Sequence, residues 1–96
     1  MEVFEILVYG NFCQMITAEQ CRAARGLLGW SQHELARQAG VGIVTVHQLE
    51  ARSSQPRRAT LDVVRRALEA AGVIFIEEDG AGGPGVRLRK HEPWEG

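Results

Sequence analysis

From Cys21 to Ala71 the apolar residues recur at intervals of three and four, the spacing of one buried helix face. Four helices follow from that pattern and its punctuation. Thr17-Ala18-Glu19-Gln20 is a capping box opening a helix over Ala18 to Leu28, with Cys21, Ala24 and Leu28 inward, Leu27 beside them, and Gly29 as the stop. Ser31-Gln32-His33-Glu34 forms a second box, opening a short helix that buries Leu35, Ala36 and Ala39 and ends at Gly40. After the turn Val41-Gly42, residues Ile43 to Ala51 can form a third helix, anchored inward by Val46 and Leu49. A polar loop from Arg52 to Pro56 leads to a fourth, starting at Arg58 or Thr60, carrying Leu61, Val64, Leu68 and Ala71, and closing at Gly72.

Both ends change period. Val73 to Glu77 is strand-like, residues 79–85 are a glycine-rich turn, and Val86-Arg87-Leu88-Arg89 alternates strictly, which predicts a β-hairpin. An isolated hairpin is marginal in water. This one must pack on the helices, pair with an N-terminal strand, or pair with a second chain. Residues 3–9, Val-Phe-Glu-Ile-Leu-Val-Tyr, read either as that short strand or as an apolar extension preceding a start at Met15. The expected layout is an arm or strand over 1–15, a helical domain over 16–72, a hairpin over 73–90 and a flexible tail over 91–96. The fold class is mainly α.

Ninety-six residues permit one domain with a modest core, and 45% hydrophobic with 24% charged residues is ordinary for a globular chain. No apolar run is long enough for a bilayer, and the acidic start makes a poor secretory signal, so a cytoplasmic location is expected. Cys13 and Cys21 have no metal-ligand spacing with His33, His47 and His91, so no metal or other cofactor is expected. Both cysteines read as ordinary thiols. No Ser/His/Asp or Cys/His set can be gathered into one cleft, and residues 80–85 lack the lysine and following helix of a phosphate-binding loop. An enzyme is not expected.

The net charge of -1 hides an uneven distribution. Residues 15–71 hold eight arginines against five acids, whereas both flanks are acidic. That basic centre contains the most informative stretch, Arg25 to Leu61: R-x-x-x-G-W-S-Q-x-E-L-A-x-x-A-G-V, then T-V-x-x-L-E, then P-x-x-x-T-L. Two short helices crossing steeply need a small residue at the crossing, which Ala36 supplies, and a left-handed turn residue, which Gly40 supplies. Pinned by Val46 and Leu49, the third helix would leave Ile43, Val44, His47 and Gln48 pointing away.

Over about residues 17–71 this pattern resembles the Cro/C1-type (XRE) family of helix-turn-helix repressors. The resemblance implies a four-helix lambda-repressor-like domain, a third helix that enters a major groove about 12 Å wide, and a dimer on a pseudo-palindromic operator. Ile43, Val44, His47 and Gln48 become the expected base readers. Gln48 suits the N6 and N7 edge of adenine, His47 a base or phosphate, and Ile43 and Val44 thymine methyls. For Ile43 and Val44 the alternative is packing against the first helix or a dimer surface, and for His47 a solvated side chain.

Gln32, where free amides and the helix dipole favour an anion, is implied as a phosphate clamp. Arg52, Ser53, Arg57 and Arg58 are implied as further backbone contacts, the alternative for the last two being a solvated surface. Arg25 and Glu50 correspond to a structural ion pair of the family. Where Arg52 stands, family members usually have glycine, so this arginine either strains the helix end or lets the helix run on. The competing functional reading is an antitoxin-like or other protein-interaction module on the same scaffold. Its motives are the apolar pair Ile43-Val44 and the free edge of the hairpin. The expected partners are therefore double-stranded DNA, a second copy of the chain and, on the competing reading, another protein.

Overall fold

Thr17 sets the entry to the first helix: its hydroxyl accepts from the Gln20 amide at 3.0 Å, while the Gln20 side-chain oxygen accepts from the Thr17 amide at 3.0 Å. In the computed structural model, which describes residues 15–52 and 56–90, this box opens α1 (Ala18–Leu28). α2 (Gln32–Ala39), α3 (Ile43–Ala51) and α4 (Arg58–Ala70) follow, and then the strands β1 (Val73–Ile76) and β2 (Gly85–Leu88). The expected N-terminal arm, the tail over 91–96, Cys13, His91 and Ser53 lie outside the described residues.

The second capping box is only half made. Ser31 accepts from the Glu34 amide at 3.0 Å. The Glu34 carboxylate, however, does not reach back; it accepts instead from Arg37 and from Gln38, one turn further along its own helix. Two cationic or amide donors at i+3 and i+4 outcompete one backbone amide. At the other end α2 stops on Gly40, with φ 72°, whose amide bonds the Ala36 carbonyl at 2.9 Å while the Val41 amide takes the same oxygen at 3.0 Å. A side chain at that φ would be strained, and the turn into α3 needs it.

The core joins all four helices and the hairpin. Leu35, Val46, Val64, Leu68 and Cys21 are fully buried, with Ile16, Ala24, Ala36, Leu49, Leu61, Val73 and Phe75 around them. Ala36 is buried within the core cluster. Two expected inward positions are not inward: Leu27 is exposed, one position off the Cys21–Ala24–Leu28 stripe, and Ala71 is the exposed residue capping α4.

Of the three ways to stabilise the hairpin, packing on the helices is present. β1 and β2 are antiparallel, pairing Val73 with Leu88 and Phe75 with Val86. Val73 and Phe75 face the core, with Val86 and Leu88 packed against it, and Ile74 and Ile76 face outward. β2 lies on α1 and β1 on α4. Asp79 closes the connecting turn by accepting from the Ala81 and Gly82 amides at 2.8 and 3.0 Å.

One buried side chain fastens this layer. The Gln20 amide nitrogen donates to the Ile76 carbonyl at 3.3 Å and the Gly85 carbonyl at 3.0 Å, one from each strand. The same glutamine that completes the α1 cap therefore clamps the turn end of the hairpin, where Ile76 pairs with Gly85.

Candidate nucleic-acid interface

α3 has one anchored face and one open face. Val46, Leu49 and Glu50 are buried, and Val44, His47, Gln48 and Ala51 are exposed. Val44 keeps 59% of its surface in water, a large value for valine in a small domain. Ile43 departs from expectation: it does not point away but is half-buried and packs against the core. The reason is periodic, since Ile43 lies three residues before Val46 and so shares its face. The open surface is thus narrower and more polar, made by Val44, His47 and Gln48.

Glu50 holds this helix in place. Its carboxylate accepts from Arg25 through Nε at 2.7 Å and Nη2 at 2.8 Å, a two-pronged pair between α1 and α3. Gln32, from the first turn of α2, donates its amide to the same carboxylate at 2.9 Å, and the Cys21 thiol donates at 3.2 Å. Arg25 also donates to the Trp30 carbonyl at 3.0 Å, and Arg22 to the main-chain carbonyl of Glu50. Three helices therefore meet on one buried carboxylate.

The electrostatics follow from that geometry. Burial opposes ionisation of Glu50, but the hydrogen bonds from Arg25, Gln32 and Cys21, with the arginine's charge, outweigh it and leave the carboxyl below its ordinary range. The hydrogen bond to Glu50 raises Arg25 above the usual guanidinium value. Burial first, and then the adjacent carboxylate, push the Cys21 thiol far up, so it stays a protonated donor and not a reactive thiolate.

Of the residues expected on the duplex backbone, Gln32, Arg52, Arg57 and Arg58 are described. Gln32 is half-buried, with one amide hydrogen committed to Glu50. Arg52 caps α3 in the left-handed conformation, φ 58°, the only non-glycine residue so placed among the described residues. Of the two outcomes expected for an arginine there, the strained end is the one observed. Its side chain pairs with Glu19 at the start of α1. Arg57 and Arg58 are exposed at the start of α4, with Arg57 as its N-cap residue.

Among the described residues no group of three or more His, Cys, Asp or Glu is placed to hold a metal ion, and no helix is long and apolar enough to cross a membrane. A helix-turn-helix family model matches residues 22–73, more than half of the chain, running from within α1 to the first residue of β1. No curated protein matches the chain. The family's domain is that of DNA-binding regulators in general and is not typically enzymatic. On the matched window, the Gly40 turn and the anchored third helix, the chain belongs to the Cro/C1-type helix-turn-helix family.

Proposed function

We propose that this protein is a sequence-specific regulator of transcription that binds double-stranded DNA as a homodimer, most simply as a repressor acting on nucleoid DNA in the cytoplasm. The observation that carries the reading is the exposure of His47 and Gln48 on a helix whose opposite face is buried. In the major groove Gln48 would pair its amide with adenine, donating to N7 and accepting from N6. Val44 would meet a thymine methyl, and His47 a base edge or a phosphate. Ile43, half-buried, would touch bases at most by its exposed edge.

Backbone contacts would come from Gln32 through its second amide hydrogen, and from Arg52, Ser53, Arg57 and Arg58. Arg57, the N-cap residue of α4, stands at the end of the helix dipole that disfavours cations. A phosphate drawn to that point would relieve the mismatch. Occupying an operator as a dimer, with the reading helices about one duplex turn, ~34 Å, apart, would block other proteins from the site.

Selection from a random duplex library tests this reading. Enrichment of paired half-sites about one turn apart is expected. No enrichment at low salt, together with a stable protein partner recovered on the purified chain, would favour the interaction-module reading. The outward Ile74 and Ile76 of the hairpin, both exposed, are the observation on its side.

A further inference from the structure

Glu19 occupies the first turn of α1, and its carboxylate accepts from the guanidinium of Arg52, the residue that ends α3. The same carboxylate lies 3.7 Å from Arg22. The Arg52 and Glu19 side chains keep 67% and 50% of their surface in water, so the pair is open to exchange with solutes. It also draws the Glu19 carboxyl below its ordinary range, the hydrogen bond from Arg52 being the largest cause.

A guanidinium makes the same two-pronged, charge-assisted contact with a carboxylate as with a phosphate. Arg52 therefore has an internal substitute for a duplex phosphate already in hand. We infer that Glu19 is an affinity-setting residue that competes with the DNA backbone for Arg52, so that binding must exchange the Arg52–Glu19 pair for an Arg52–phosphate contact. This inference rests on the DNA-binding reading, and on Arg52 as one of its backbone contacts.

The exchange is feasible on both sides. Glu19 is not stranded when Arg52 leaves, because Arg22 and the positive end of the α1 dipole stay beside it. Arg52 is anchored by its backbone, whose amide bonds the Gln48 carbonyl, so its side chain swings from a fixed point. Replacing Glu19 with glutamine leaves the Thr17–Gln20 box untouched and removes the competitor.

The experiment measures anisotropy of a labelled duplex of mixed sequence and about 30 base pairs, long enough for two half-sites. Titrations over a range of salt use the wild type, Glu19→Gln, Arg52→Gly, the double variant and Glu78→Gln, with thermal melts to establish folding. Glu78 is an exposed acid at the hairpin and controls for net charge. Glu19→Gln is expected to bind about fivefold more tightly, the upper worth of an exposed pair. Its salt dependence should steepen by up to about 0.9 in log–log slope, one phosphate's share, as Arg52 engages more fully. In the Arg52→Gly background the gain should vanish. No gain, a gain that persists without Arg52, or an equal gain in Glu78→Gln would overturn the inference while leaving DNA binding intact. A wild type that binds no duplex at low salt would remove the DNA-binding reading, and this inference with it.

Discussion

Glu50, at the end of the third helix, takes two parallel N–H bonds from the guanidinium of Arg25 in the first, at 2.7 and 2.8 Å. Glu50 is 5% exposed, so its carboxylate lies inside the domain, while Arg25 is half-buried beside it. The pair fixes the angle at which α3 leaves the body of the protein, and therefore which side chains can reach outward. The packing of α3 and the set of its exposed side chains depend on the same carboxylate.

Removing one partner should cost about 3 kcal/mol, the low end for a buried pair because Arg25 keeps part of its surface in water. For a domain of this size each kcal/mol moves the melting temperature by about 4–8 °C. Glu50→Ala is therefore expected to melt at least about 12 °C lower by circular dichroism. An unchanged melt would refute the role given to the pair.

The same carboxylate makes stability depend on acid. Its folded pKa lies below the unfolded value of about 4.3, so the folded state binds fewer protons and gains stability above that value. That gain is lost as the pH falls through the folded pKa. Melts between pH 6 and pH 3 should fall more steeply for the wild type than for Glu50→Gln, which has no carboxylate to protonate. Parallel curves would mean that Glu50 gains nothing from its partners.

Arg52 carries the opposite lesson. At φ 58° a side chain costs about 1–2 kcal/mol relative to glycine, while the exposed pair with Glu19 returns about 0–1. Arg52→Gly is expected to raise the melting temperature by a few degrees and to weaken duplex binding. A destabilised variant would show that the arginine is retained for the fold and not for its charge.

Gln20 is the clamp on the hairpin. Gln20→Ala strips the donor from the Ile76 and Gly85 carbonyls and the acceptor from Thr17, a loss of about 2 kcal/mol. Amide hydrogen exchange should quicken across residues 73–88 more than in α2 or α3. Uniform quickening would place the loss in the whole domain.

The helical framework was readable because its signals are local. Capping residues and stop glycines lie within four positions of the helix ends they set, so Thr17, Gly29, Ser31 and Gly40 could be interpreted in place. The hairpin was readable from its change of period. The contacts that the sequence does not announce join positions far apart in the chain. Gln20 meets Ile76 across 56 residues, Cys21 meets Glu50 across 29, and Arg52 meets Glu19 across 33, and nothing beside any of them marks its partner. Glu34 looked like the second half of a capping box, but the Arg37 and Gln38 competing for it lie on the same helix face. Ile43, too, is a local case, since it lies three residues from Val46 on the buried face of α3.

The central claim is that Gln48, held outward by the buried face of α3, reads a base. The most direct measurement is the ratio of affinities for the selected site and for a mixed-sequence duplex, compared between wild type and Gln48→Ala at one salt concentration. A lost two-pronged contact to adenine should lower that ratio about tenfold or more. A ratio that survives the substitution would contradict the account.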